Sequence, residues 1–491
     1  MTITRVSTFS FSGIDPVCVE VQVQITRGLP AFIMVGLADK AVTESRERVR
    51  AALISMGIAM PPKRILINLA PADIVKEGTH YDLPIALGIL CAMDIIPQEE
   101  LLHYAAVGEL SLDGQLSPVN NVISASIGAA SEDKGLICPQ AQGGEALLGG
   151  DISILAPPDL LSLMQHFLGR QILSQPQFTP LPTLQSEPDL NEIKGMESAK
   201  RALEIAAAGG HSMLMIGPPG AGKSMLAARL PSLLPNLTSQ QSLEVTRIYS
   251  SAGLLLNSAP VIRPPFRSPH HSASQVALTG GGAKVKPGEI SLAHQGVLFL
   301  DELPEFSRHA LEALRQPLET GDISIARATS HVTYPARFQF IAAMNPCRCG
   351  YMGDTERECH RVPKCKEEYT RKISGPLLDR IDLITTIEQI SPKEMVSMAT
   401  GESSESVAER VQLARERQLT RQNMLNNEIS SHHITLSTEV ADMVEKASTQ
   451  LRLSARGMTR LLRVARTIAD LGHKEDIDII SIAEALNFRQ R

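Results

Sequence analysis

The chain has no tryptophan, and its 6 tyrosines and 11 phenylalanines bring aromatics to only 3% of 491 residues. A protein that holds single strands by stacking bases on aromatic side chains usually carries more. A surplus of positive charge is also missing: 47 Lys and Arg stand against 53 Asp and Glu, a formal net charge of -6. That argues against a chain that coats nucleic acid by bulk charge. Local basic loops stay open, because only charges within about a Debye length of a phosphate matter. No uninterrupted apolar run is long enough to span a bilayer. Met1 to Pro16 lacks an apolar core and a small-residue cleavage site, so a cytoplasmic protein is expected. In that compartment the seven cysteines are not expected to form structural disulfides.

What is present is ample apolar material, 43% hydrophobic against 20% charged residues, enough for proper cores. The length suggests about three domains. Residues 1–168 alternate β-branched runs with helical stretches. Val17 to Ile25 has the period of a half-buried strand, and Arg64 to Leu69 reads as a buried one. Thr43 to Gly57 reads as a helix with Val49, Leu53 and Ile54 on its apolar face. Residues 169–188 are Pro-rich without hydrophobic periodicity and read as a semi-extended linker. Residues 189–390 alternate strands and helices as a parallel sheet requires. Residues 391–491 are helical, with Val407–Gln422, Thr438–Ala447 and Gly457–Leu471 as the main helices. There is no internal repeat.

The chemistry concentrates in 189–390. Ser212–Ile216 is an apolar strand that runs into Gly217, Pro218, Pro219, Gly220, Ala221, Gly222, Lys223 and Ser224, then into a helix over Met225–Leu230. Strand, loop and helix in that order make a phosphate-binding loop. Its glycines let backbone N–H groups turn toward phosphates, and the helix start adds favourable partial charge. Lys223 would reach the β- and γ-phosphates of ATP, and Ser224 would be a Mg²⁺ ligand. A second strand, Gly296–Leu300, ends in Asp301 and Glu302. Asp301 can hold Mg²⁺ through water, and Glu302 can polarise the attacking water. A third strand, Phe338–Ala343, leads to Asn345, placed to orient that water or touch the γ-phosphate. Arg380, in Ser374–Asp382, is expected on a short helix after the sheet strands. Such an arginine can face a neighbouring subunit's nucleotide; the alternative is an internal ion pair with Asp379 or Asp382.

With these elements in place, the sequence resembles the YifB/ComM family of Mg-chelatase-like AAA+ ATPases over nearly its whole length. The specific stretches are Gly195–Leu203, Ser268-Pro269-His270-His271, Pro287–Gly296, Asp301–Phe306, Ser374–Asp382 and Ala465–Leu471. The resemblance implies an α/β fold: an AAA+ core with a helical lid, preceded by a Lon-protease-like, ribosomal-S5-like domain. It also implies a homo-hexameric ATPase using ATP and Mg²⁺, a helicase that migrates DNA branches in natural transformation. Arg460 matches the family's lid sensor arginine, with Arg456 as the fallback. The rival functions are a chelatase-type motor that remodels a protein partner, and an ATP-dependent protease.

The resemblance also implies hairpins inserted into the AAA+ core. Gly280–Gly288 is Gly-rich and basic, and Asp322–Thr333 alternates on either side of a turn. In a ring, Lys284, Lys286, Arg327 and His331 would contact DNA phosphates without reading sequence, unless these are ordinary solvated loops. Cys347, Cys349, Cys359 and Cys365 fall in one short stretch, with Arg361 where the family's second Cys pair would close. Clustered thiolates favour a structural Zn²⁺ with Cys365 or His360 as the fourth ligand; reduced thiols without metal are the alternative. Cys18, Cys91 and Cys138 read as small core residues. In the first domain, Gly108–Val119 resembles the Lon-protease domain, whose chemistry needs a Ser activated by a Lys. His80 stands where the Ser is expected and Ile123 where the Lys is expected, so the domain reads as non-proteolytic.

Overall fold

The computed structural model describes residues 3–177, 188–255, 259–282, 285–326, 331–352, 359, 361, 363–389 and 401–489. The chain forms two compact units. One comprises Met1–Thr183 with Ser242–Val261 and Ala326–Thr333, the other Leu184–Gln241, Ile262–Ile325 and Tyr334–Arg491. Among the described residues no helix is long and apolar enough to cross a membrane.

The first unit is built on a seven-stranded mixed sheet, in the order Ala31–Val35, Arg64–Ala70, Asp15–Thr26, Thr4–Ser12, Tyr104–Ala106, Gly135–Ile137 and Ile154–Leu155. The alternation at Val17–Ile25 belongs to a longer strand whose Val19, Val21 and Val23 are fully buried. Arg64–Ala70 is buried on alternate residues only, because one of its faces is less covered. The helix Asp82–Ala92 is apolar nearly all round, and Asp82 to Cys91 are all buried. It lies close to the sheet: a Cβ on Gly88 would come within 2.7 Å of Val23 Cγ2. Its one buried carboxylate, Asp82, takes two hydrogen bonds from Arg48 at 2.6 and 2.9 Å.

Several expectations need correction here. The first helix spans Lys40–Ser55, three residues earlier than expected, because the Asp39 carboxylate caps it by accepting from the Val42 N–H at 2.7 Å. It ends two residues earlier, where Gly57 takes φ +77°. Ile54 is 55% exposed, since it follows Leu53 by about 100° of helix rotation and leaves the buried stripe. Cys18 is exposed rather than a core residue, while Cys91 and Cys138 are buried.

The second unit has a five-stranded, fully parallel sheet in the order Phe266–Arg267, Val297–Leu300, Gln339–Met344, Met213–Ile216 and Leu383–Thr386. Helices Glu197–Gly209, Ser404–Gln422 and Ala455–Leu471 pack around it and share one core. The helix after the phosphate loop is two pieces, Lys223–Ala227 and Leu230–Leu233, not one run over Met225–Leu230. The helix expected from Gly457 begins at Ala455, because Ser454 Oγ accepts from the Gly457 N–H at 3.1 Å. Thr438–Gln450 runs three residues past the expected end.

Candidate active site

The parallel sheet explains why distant residues meet. Ile216 is in register with Met344 on one side and Thr386 on the other, and Leu300 is in register with Ala342. The segments that leave these strands therefore emerge at one edge, the carboxyl edge where parallel sheets bind ligands. The phosphate loop follows Ile216, Asp301 and Glu302 follow Leu300, and Asn345 follows Met344.

The loop's form depends on glycine at two places. Gly220 has φ +77° and Gly222 φ +84°, where a side chain would strain the backbone. Lys223, buried, donates to the carbonyls of Gly217 at 2.7 Å and Pro218 at 2.8 Å, and to Asn345 Oδ1 at 3.2 Å. Burial lowers its pKa, and the carboxylates of Asp301 and Glu302 oppose that. Ser224 Oγ donates to Asp301 Oδ2. Hydroxyl and carboxylate are thus paired at the point where a hard cation would take oxygen ligands, so these residues suit Mg²⁺. Asp301 Oδ1 accepts from the Glu302 N–H at 2.8 Å. Glu302 itself has φ +51°, a conformation uncommon outside glycine.

Two residues given no role from sequence meet candidate residues, one at this site and one at Arg380. His271 Nδ1 lies 3.2 Å from Glu302 Oε2, beside the carboxylate expected to act on water. The Ser-Pro-His-His stretch was the signal, since it is specific to the resemblance without an evident structural duty. Glu319 pairs with Arg380, and Arg380 also donates to the Pro376 carbonyl at 2.8 Å. The internal ion pair considered for Arg380 therefore forms with neither Asp379 nor Asp382. Asp379 instead lies 3.7 Å from Arg460, and Asp382 lies 3.4 Å from His211. Arg380 follows the short helix Gly375–Leu378 rather than sitting within it, and it precedes the sheet strand Leu383–Thr386 rather than following every strand.

Arg380, Arg456, Arg460 and Arg463 line one cavity of about 480 Å³. Arg460 is buried and donates to the Ile381 carbonyl at 3.1 Å. Burial lowers the pKa of Arg380, and the neighbouring cations Arg315, Arg456 and Arg460 lower it further. The carboxylates of Glu319, Asp379 and Asp382 line the same cavity, so the four guanidiniums are largely balanced within the chain.

Of the residues expected on DNA, Lys286 and His331 are exposed, while Lys284 and Arg327 lie outside the described residues. Gly280–Gly281 pairs with Lys286–Pro287, and Asp322–Ala326 with His331–Pro335. The two ladders touch: Tyr334 Oη donates to the Val285 carbonyl at 3.1 Å, and Ile325 lies under Gly280. The four cysteines also come together, their sulfur atoms all within 4.8 Å of one another. His360 lies outside the described residues.

In the first unit His80 and Ile123 stand where the resemblance calls for a Ser–Lys pair. His80 is buried with Nε2 2.8 Å from the Phe9 carbonyl, and Ile123 is a core residue. Lys76 is buried as well and donates to the carbonyls of Pro71 and Ile74.

Three family descriptions match the chain: "Subunit ChlI of Mg-chelatase" over 21–142, "Magnesium chelatase, subunit ChlI" over 189–395, and "Magnesium chelatase, subunit ChlI C-terminal" over 401–489. The chain is 44% identical to the YifB protein of Escherichia coli K12 over 501 residues, covering 100% of this chain and 97% of that one. It is 42% identical to the competence protein ComM of Haemophilus influenzae over 503 residues, covering 100% and 98%. It is 29% identical to the DNA replication licensing factor mcm7-B of Xenopus laevis over 210 residues, covering 40% of this chain and 25% of that one.

Proposed function

The chain belongs to the YifB/ComM family of magnesium-chelatase-like AAA+ ATPases, and from there we propose that it is an ATP-driven DNA motor. In this reading it works as a homo-hexameric ring, a helicase or branch-migration factor in natural transformation and recombination. Its substrate is branched or single-stranded DNA, held without sequence preference. The division into 1–168, 169–188, 189–390 and 391–491 belongs to the same reading.

The observation that carries the catalytic part is the convergence at the sheet edge. Lys223, Ser224, Asp301, Glu302 and Asn345 follow three neighbouring strands and are bonded in pairs, Lys223 to Asn345, Ser224 to Asp301 and the Glu302 N–H to Asp301. Lys223 and the loop N–H groups would bind the phosphates, Glu302 would accept a proton from the attacking water, and Asn345 would orient it. Ser224 and Asp301 would hold Mg²⁺, which offsets the charge of the phosphate oxygens when bound. The arginine cavity supports a shared site. None of residues 217–224 lines it, so Arg380 lies apart from its own phosphate loop; in this reading it leaves Glu319 for the ATP of a neighbouring copy. Arg380 and Arg460 would then act together on that nucleotide.

Support for DNA as cargo comes from the two packed hairpins with exposed Lys286 and His331. The names of the Haemophilus and Xenopus relatives agree with it. The magnesium-chelatase descriptions favour a second reading, a motor that remodels a protein partner. Proteolysis is disfavoured by His80 and Ile123. The test is ATP turnover and strand separation with branched DNA. Stimulation by DNA is expected, and turnover indifferent to every DNA form sinks the motor reading.

A further inference from the structure

We propose that Cys347, Cys349, Cys359 and Cys365 bind one zinc ion, which braces the segment carrying Asn345 against the phosphate loop.

The geometry carries the metal. All four sulfur atoms lie within 4.8 Å of one another, with Cys347 and Cys349 3.2 Å apart. A tetrahedral zinc with Zn–S bonds near 2.3 Å separates its sulfurs by about 3.8 Å, so only small side-chain movements close the site. Four thiolates are soft donors in the number and arrangement that select zinc over the hard cations. Arg348, Arg361, Lys364 and Lys366 are interleaved with the cysteines and exposed, which offsets the net negative charge of a four-thiolate zinc centre. The local structure also calls for a staple. Among the described residues no helix or strand lies between Met344 and Lys364, so Cys347, Cys349 and Cys359 are not positioned by one and a bound metal would fix them.

The surroundings give the ion its task. Asn345 is two residues before Cys347, and its side chain accepts from Lys223. Tyr369, one turn beyond Cys365 on the same helix, is buried, and its hydroxyl oxygen is bonded by the Asn345 backbone. Gly350 has φ +87°, and a Cβ there would come within 2.6 Å of Pro219 Cδ. The cysteine loop therefore packs on the phosphate loop from one side and holds the Asn345 backbone from the other. The zinc acts as a structural brace and touches no substrate.

The first measurement is metal content of the purified full chain after desalting under reducing conditions, with no DNA involved. About one zinc per chain is expected for a closed four-thiolate site. Cys349→Ser and Cys365→Ser should each lose it, and Cys91→Ser should keep it. Less than about a fifth of an equivalent of zinc, or stoichiometric iron in its place, overturns the proposal, since a site of this kind holds its metal through purification. The bracing claim is tested by stripping the zinc with a mercurial reagent and a chelator, then restoring it. The kcat for ATP should fall about tenfold or more and recover on adding zinc, the size of effect seen when a site's supporting shell is lost. Zinc-free protein with unchanged kcat overturns the bracing role. Because neither readout uses DNA, failure here is distinct from failure of the motor reading.

Discussion

At the scale of single residues, His80 shows most plainly how one substitution changes what a site can do. A serine there could be a nucleophile, whereas the histidine is a packed core residue with its ring 4.2 Å from that of Tyr81. Burial lowers its pKa to about 4, so it stays neutral in the fold while the unfolded chain protonates it near pH 6.5. Its contribution to stability is then full above pH 6.5 and is lost as the pH falls toward 4, by about 3 kcal/mol at most. Burial raises the pKa of Asp82 and Glu145, which acts in the opposite sense, so the difference between wild type and His80→Gln isolates the histidine. The thermal midpoint should fall more steeply in wild type than in the variant between pH 6.5 and 4.5. Parallel slopes would contradict a neutral buried imidazole. The departures at His80 and Ile123 were legible in the sequence because they are changes of residue type. The pairings of His271 with Glu302 and of Arg380 with Glu319 were not, because each joins segments far apart in the chain that only the fold brings together.

At the scale of elements, the strands of the candidate site were legible nearly to the residue. Met213–Ile216, Val297–Leu300 and Gln339–Met344 are short, mainly apolar runs followed by Gly217, Asp301 and Asn345, and their length and burial on both faces suit strands of a parallel sheet. Helix starts were less legible: Asp39 and Ser454 cap helices earlier than the apolar pattern begins. The alternation in Asp322–Thr333 does mark a two-stranded ladder, and a hydrogen bond joins it to the segment beside Lys286. If Lys286 meets a DNA phosphate, Lys286→Ala should reduce the slope of log affinity against log salt by about 0.9, the value of one released counterion. An unchanged slope would remove Lys286 from the interface.

At the scale of the whole molecule, the account places half of each catalytic site on one copy and half on the next. Lys223→Ala should inactivate a subunit's own nucleotide site, and Arg380→Ala should inactivate its neighbour's. Each variant alone should turn over ATP slowly, by about a hundredfold or more, as loss of transition-state charge stabilisation costs in other phosphoryl-transfer sites. Mixing the two should restore part of the activity, because a Lys223→Ala subunit still offers Arg380 to an intact phosphate loop. No recovery on mixing, with mixed rings formed, would contradict a shared site. The cavity that motivates this was beyond the sequence, since it depends on the lid residues Arg456, Arg460 and Arg463 folding beside Arg380. The central claim is that ATP hydrolysis here moves DNA. The most direct measurement is strand separation of forked and four-way DNA by the wild type and by Glu302→Gln. The account predicts ATP-dependent separation by the wild type and none by Glu302→Gln, which should still bind ATP; a wild type that hydrolyses ATP yet leaves both substrates intact would contradict it.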